Sequence, residues 1–487
     1  MVEVKLDNAN NIVTNGMYNL GDISWILVST CLVFLIGPGI GFFYAGLLRR
    51  KNALSMIGLC FALMAVVSIQ WFFWGFSLAF SDSGNPFIGD MKNFGLINVD
   101  MQPSAGAKTI PQLVYCIYQM MFASIAPVIM CGAFSERCRI GPILIFAFCW
   151  TTIVYDPIAF WTWNVGKGWA NKLGALDFAG GTPLHISSGS AALAISLYIG
   201  RRRGYGTEQL AYRPNNVTYV ALGTILLWFG WFGFNGGSGL GANLRSAQAI
   251  MVTHISACSG GFTWMLLDYR LERKWSVVGF CSGVISGLVS ITPAAGYVGT
   301  PSALVFGILG AAACNFATQL KNLLGYDDAL DIFAAHAVGG MVGNFLTALF
   351  ADGRVSSFDG SDPSLGSGWI NHHWIQLGYQ LAAAFSGMGW SFVLTFILLF
   401  IVDHVPYCHF RMSEEDEEDE MVGADIAQIG EEAYAFLGTL DLHLMGNSHL
   451  HKDAENATFA DNWLAREKPA NTSNEALHTA TVPDNVA

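Results

Sequence analysis

Charge is what this sequence has least of. Asp, Glu, Lys and Arg make up 12% of 487 residues, about half of the ~25% usual for soluble chains. A chain so poor in charge cannot coat a soluble surface. It has no basic stripe, which argues against nucleic-acid binding. Its ten cysteines fit no metal spacing; Cys31, Cys60, Cys131, Cys149, Cys281 and Cys314 lie inside apolar runs and read as buried free thiols. The first 22 residues are polar and lack the basic region and short apolar core of a signal peptide, so none is expected. Apolar matter is abundant instead. Hydrophobic residues are 53%, mean hydropathy is +0.43, and there are 54 glycines. Disordered, collagen-like and disulfide-stapled chains are excluded. A polytopic membrane protein with closely packed helices is indicated.

The net charge of −12 is unevenly placed. Residues 1–410 hold 20 Lys+Arg against 19 Asp+Glu, and residues 411–487 hold 4 against 17. The body is nearly neutral and the tail is acidic, with its densest run at 414–420, a solvated stretch on this reading.

Uncharged runs recur at 23–48, 53–81, 109–135, 178–200, 214–244, 246–267 and 332–351, and 140–166 carries a single charge, Asp156. The run 275–320 is too long for one crossing and is split by the turn Thr292–Pro301; a last span covers 363–402. A bilayer needs about 20 apolar residues per helix, so the expectation is an all-α membrane protein with eleven transmembrane helices. Basic residues cluster on one face. Arg49, Arg50, Lys51, Arg137, Arg139, Arg201, Arg202, Arg203, Arg213, Arg270, Arg273, Lys274 and Lys321 make 13, against 7 on the other face. The richer face is cytosolic by the positive-inside rule, which puts the N-terminus outside and the C-terminus in the cytosol. The sequons at Asn216, Asn456 and Asn471 then lie inside, unglycosylated. The expected divisions are an extracellular segment 1–22, a transmembrane domain 23–403, a cytosolic region 404–436 and a disordered cytosolic tail 437–487.

One echo stands out. Asp177 precedes His185 by eight positions, and Asp328 precedes His336 by eight. One pair opens the fifth span and the other the tenth, which run in opposite directions. Two inverted five-helix repeats plus an extra helix would produce this.

Ionisable groups inside a membrane are costly, so His185 and His336 read as functional by default, although a neutral imidazole bridging two helices is the plainer alternative. His254 stands alone and reads as structural; His372 and His373 read as water-facing. Trp161, Trp163 and Trp169, the pair Tyr118 and Phe122, and Trp231 with Phe234 and Ser238 gather near outer span ends. They fit an interfacial belt or a cation–π cage, and spacing does not choose. Asp177 reads as a helix N-cap whose field also favours a nearby cation.

Five segments carry a resemblance: Pro38–Gly46, Gly132–Arg137, Gly174–Gly181, Gly230–Ser238 and Asp331–His336. In order and content they resemble the ammonium transporter, methylammonium permease and Rhesus family over residues 20–436. The segment from Trp275 and the Gln428-Ile-Gly-Glu motif resemble the fungal permeases in particular. The resemblance implies a homotrimer in the lipid bilayer of the plasma membrane, no enzyme activity and no cofactor or metal. Each subunit would pass ammonium or methylammonium through its own narrow pore. Trp163, Tyr118 and Ser238 would line an outer ammonium site supported by Asp177. Phe122 and Phe234 would be the stacked gate, Trp231 a pore wall, and His185 and His336 the twin histidines. Arg411, Gly423, Asp425, Gly430, Glu431 and Tyr434 match a regulatory C-terminal motif that resembles a strap. Tyr118 departs from the Phe common in bacterial members, and two extra residues separate Trp163 from Asp177. Some fungal members carry Glu where His185 stands. A kinase acting on Ser448, Thr458 or Ser473 is a further partner on this reading. Two other classes stay open. One is an ammonium receptor with little transport. The other is an intramembrane hydrolase using Ser187 or Ser188, against which no nucleophile motif surrounds either serine.

Overall fold

The computed structural model of the chain describes residues 5–6, 12–13, 18–207, 214–411, 420 and 422–434. Arg213, residues 414–419 of the acidic run, the sequons at Asn456 and Asn471, and Ser448, Thr458 and Ser473 lie outside the described residues. The chain forms one unit over Met1–Ala433 and a second, Tyr434–Ala487, described only at Tyr434.

Among the described residues, ten helices are long and apolar enough to cross a membrane. They are α1 Leu20–Leu47, α2 Arg50–Phe80, α3 Gln112–Phe134, α4 Ile140–Trp163, α6 Val217–Gly237, α7 Leu244–Glu272, α8 Val277–Ala294, α9 Thr300–Leu324, α10 Phe333–Phe350 and α11 Gln376–Asp403. Between α4 and α6 runs a further helix, α5, made of Gly181–Ile186 continuing into Ser187–Ile199. His185, Pro183 and four serines make it less apolar than the ten. The chain is therefore a multi-pass, all-helical membrane protein. A two-residue antiparallel pairing of Lys5–Leu6 with Ile12–Val13 is the described strand content.

Local chemistry sets the helix starts. Asn19, Asn216, Asn243 and Ser276 each present a side-chain oxygen to a first-turn amide of α1, α6, α7 and α8, where four N–H groups would otherwise lack partners. The expected break in 275–320 appears between Ala294 and Thr300. The expected span 363–402 begins later, at Gln376, because Pro363, Gly366 and Gly368 break 363–375 into short turns. Helix α7 packs against α8 and α9, α6 against α1, and α5 against α10 and α11.

The loops after α1, α3, α5 and α9 meet in one charged knot. Arg49 and Arg202 hold Glu136 at 3.0 and 2.8 Å. Arg202 and Arg137 hold Asp327 at 2.9 and 3.1 Å. Burial alone would raise both carboxyls, but the guanidiniums of Arg202 and Arg49 at Glu136, and of Arg202 and Arg137 at Asp327, outweigh it and hold both low. Depressed carboxyls contribute stability that is lost as pH falls through their folded values, so the knot stays intact at neutral pH.

Onto this face dock Glu420 and residues 422–431. Asp425 accepts from the amides of Leu54 and Ser55 at 3.1 and 2.7 Å, at the N-terminal turn of α2. Gln428 accepts from the amide of Ile140 at 2.7 Å, at the start of α4. Two tail side chains thus cap two helices of the bundle. Gly423 sits at φ +108° against Lys51, a conformation that a side chain would strain. Arg411 donates to the carbonyls of Ile199 and Arg201 at 3.0 and 2.8 Å. Glu420 accepts from the amide of Arg203 at 2.8 Å. Gly430 ends the turn at φ +76°, and the amide of Glu431 donates to Asp425 O at 3.3 Å.

Candidate functional site

Helices α5 and α10 cross where side chains are smallest. A Cβ on Gly189 would strike the backbone of Ala337, and one on Gly340 would crowd Gly181 and Ile186. This close approach brings His185 and His336 together, with Nδ1 to Nδ1 at 3.2 Å. Each histidine lies in a single π-helical stretch, Gly181–Ile186 and Phe333–Val338, a local widening frequent at functional positions. Each stretch is capped by the carboxylate eight residues before its histidine. Asp177 accepts from the amides of Gly180, Gly181 and Thr182 at 2.7–2.8 Å, and Asp328 from the amide of Phe333 at 2.9 Å.

Two cavities flank the histidine side and the aromatic side of the crossing. The outer one, on the sidedness expected from the basic residues, is about 230 Å³ and is walled by Trp163, Phe122, Ser238, Asp177, Gln119 and Arg245. The inner one, about 70 Å³, is walled by Phe234, Trp231, His185, His336, Tyr44 and Asp331. Phe122 and Phe234 stand between them, ring centroids 4.3 Å apart and planes 22° from parallel. Below the pair, Trp231 stacks on His185 at 5.4 Å and donates its indole N–H to Thr292 at 3.0 Å.

The sequence-derived residues fall into place unequally. Trp163 meets Phe122 edge to face at 5.9 Å and donates its N–H to Asp177 O at 3.1 Å. The Ser238 hydroxyl donates to Phe234 O at 2.8 Å, which leaves its lone pairs to accept. Tyr118 is fully buried and lies behind the wall. Its hydroxyl is 3.0 and 2.9 Å from the carbonyls of Gly233 and Phe234 and 3.3 Å from Ser238 Oγ. It braces the α6 end instead of facing the cavity. Replacing Tyr118 by Phe should cost about 1 kcal/mol of stability for one lost hydrogen bond, measured by thermal unfolding. The carboxylate of Asp177 is committed to three amides, so it could act on a ligand in the cavity only through its field and through the helix end it fixes.

Sequence reasoning passed over Gln119 and Arg245. Gln119 is an amide within an apolar span, and Arg245 is the lone charge separating two uncharged runs; both signals were there to use. Ser187 donates to Pro183 O and Ser188 to Ala126 O, so neither hydroxyl is set against a histidine. His254 lies tilted against Trp228, ring centroids 5.3 Å apart. Asp156 is buried within α4 and accepts from Gln70 at 2.8 Å. Among the described residues no cluster of His, Cys, Asp and Glu could hold a metal ion.

Residues 24–434 match the Ammonium Transporter Family. The chain is 53% identical over 427 residues to "Ammonium transporter 1" of Schizosaccharomyces pombe, an alignment covering 88% of this chain and 85% of that one. It is 46% identical over 433 residues to "Ammonium transporter MEP2" of Saccharomyces cerevisiae, covering 87% and 86%. The crystal structure of Candida albicans Mep2 aligns with a TM-score of 0.78 at 47% identity, over 82% of this chain and 88% of that one.

Proposed function

The chain belongs to the ammonium transporter family, as a fungal-type ammonium permease and not an enzyme, and from that premise we propose how it moves ammonium. The cation is recruited between Trp163, Phe122 and Ser238. It passes the Phe122–Phe234 pair and crosses the apolar pore as ammonia beside His185 and His336, with the proton moving separately.

Physical chemistry favours this order. Potassium and ammonium are similar in size, so a ring of oxygens would hardly separate them. Rings attract either cation, but only ammonium has N–H donors for the free lone pairs of Ser238. A charge at the membrane midplane costs about 2.5–3.5 kcal/mol on insertion scales. Ammonium can shed that cost by giving up its proton, and potassium cannot. Deprotonation at the gate is the selectivity step. Neutral imidazoles can each donate and accept along the path. The observation that carries this reading is the stacked Phe122–Phe234 pair between two cavities, with the paired histidines on the inner side.

The same reading makes α5 the eleventh span. The chain then forms two inverted five-helix repeats plus α11, with the N-terminus outside and the tail in the cytosol. The matched capping of the His185 and His336 stretches supports the repeat. The gathering of Arg49, Arg137 and Arg202 at one end supports the sidedness. The chain works as a homotrimer in the plasma membrane, with the region 404–436 as a cytosolic strap and a kinase acting on the tail beyond. Uptake of labelled methylammonium into yeast lacking its own ammonium transporters tests the whole. Saturable uptake is expected. No uptake at good surface expression would replace transport with ammonium sensing.

A further inference from the structure

A guanidinium is out of place in a vestibule that recruits cations. Arg245, in the first turn of α7, borders the outer cavity and also an adjoining one of about 500 Å³, and Ser238 borders both. Among the described residues walling the outer cavity, Asp177 and Arg245 are the charged ones, and their charges cancel. Left so, the vestibule would hold no net charge to draw ammonium in.

Asp359 changes that balance. Its carboxylate meets Arg245 Nη1 at 2.8 Å, with side chains only 13% and 17% exposed. Arg245 Nε donates to Gly296 O at 2.9 Å. The guanidinium lies over the rings of Phe178 and Tyr297, 5.1 and 4.8 Å from their centroids, and both rings wall the vestibule. Asp359 also accepts from the amide of Ser361 at 2.9 Å. Burial pushes its carboxyl up, but the bonds from Ser361 and Arg245 outweigh that and hold it below the usual carboxylate range. It is therefore ionised at neutral pH. The pair joins residues 114 positions apart, far more than local turn geometry requires.

We infer that Asp359 is an affinity-determining residue of the outer vestibule, acting through Arg245. It neutralises a fixed positive charge at the recruitment site and restores a net negative field there. The inference rests on the proposed outer ammonium site and adds to it a residue that does not touch the ligand. A cavity of 230 Å³ is about 8 Å across, close to the screening length of about 8 Å at physiological ionic strength, so one uncancelled charge is felt across it. Coulomb's law over that distance, between surface-like and aqueous dielectrics, corresponds to about a threefold to thirtyfold change in affinity.

The test is methylammonium uptake kinetics for the native chain, Asp359→Asn, Arg245→Gln and the double variant, at matched surface levels. Asp359→Asn should raise KM about threefold to thirtyfold with the maximal rate nearly unchanged. Higher ionic strength should shrink that effect. Arg245→Gln should leave KM equal or lower, and the double variant should bring KM back toward the native value. A merely structural ion pair predicts the opposite split: lost surface level or maximal rate, native KM, and no repair in the double variant. Should Asp359→Asn not reach the surface, Arg245→Gln decides alone, since a raised KM there overturns the inference. An inert native chain would overturn transport and this inference with it. Native uptake with an unmoved KM in Asp359→Asn overturns this inference only.

Discussion

Replacing His336 by alanine should lower methylammonium uptake by about fivefold to 150-fold while the chain still reaches the surface. The magnitude follows from one hydrogen bond lost on the path, about 1–3 kcal/mol when a buried partner is orphaned, read as a rate. His185 and His336 face each other through Nδ1 at 3.2 Å. In neutral imidazoles one nitrogen of that contact donates and the other accepts. Alanine leaves His185 Nδ1 without its partner. His185 Nε2 is already buried without a protein partner among the described residues, so the remaining ring would have no fixed tautomer to offer. Folding should survive because His336 borders a cavity instead of filling a packed core. Uptake per surface molecule is the measurement. Unchanged uptake would reduce the pair to a helix bridge.

Truncation after Phe410 is the second large effect expected. It removes the Asp425 cap from α2 and the Gln428 cap from α4, each worth about 0.5–2 kcal/mol. It also removes Arg411 from the carbonyls of Ile199 and Arg201, at the end of α5. Helix α5 carries His185, so loosening its end reaches the pore directly. Uptake should fall several-fold while the oligomer keeps its size in detergent. Asp425→Ala alone should reproduce part of the fall. Full activity of the truncated chain would show that the strap is ornamental to transport.

How much of this was legible beforehand differs from element to element. Spans such as α2 and α3 are runs without charge, and the energetic cost of charge in lipid makes such runs easy to see. Helix α5 shows in the same way, as the uncharged run 178–200, although its histidine, proline and serines leave it less apolar than the other ten; the repeated Asp-to-His spacing marked its start. That same spacing pointed to His185 and His336, because an ionisable group in an apolar span needs a reason. The direction of a side chain was not legible. Tyr118 and Phe122 lie one helical turn apart, yet the Tyr118 hydroxyl turns behind the wall to the α6 carbonyls while Phe122 faces the cavity. Nor was the pairing of Arg245 with Asp359, which depends on how the distant turn Ser357–Asp359 packs against α7. Charge counting could place Arg245 at the outer end but could not say that its charge is cancelled. The start of α11 was read too early because 363–375 is as uncharged as the helix after it, and only its proline and glycines mark it as turns.

The claim at the centre is that His185 works in the pore and does more than join two helices. Uptake across a pH series for the native chain, His185→Glu and His185→Ala, at matched surface levels, tests it most directly. The resemblance to fungal members that carry Glu at this position makes Glu the informative change. A carboxyl in an apolar site keeps its proton to higher pH than in water, so it can donate or accept where the imidazole did, over a different pH range. The account predicts that His185→Glu transports with a displaced pH profile and that His185→Ala transports poorly at every pH. Identical profiles for His and Glu, or full activity of the Ala form, would contradict it.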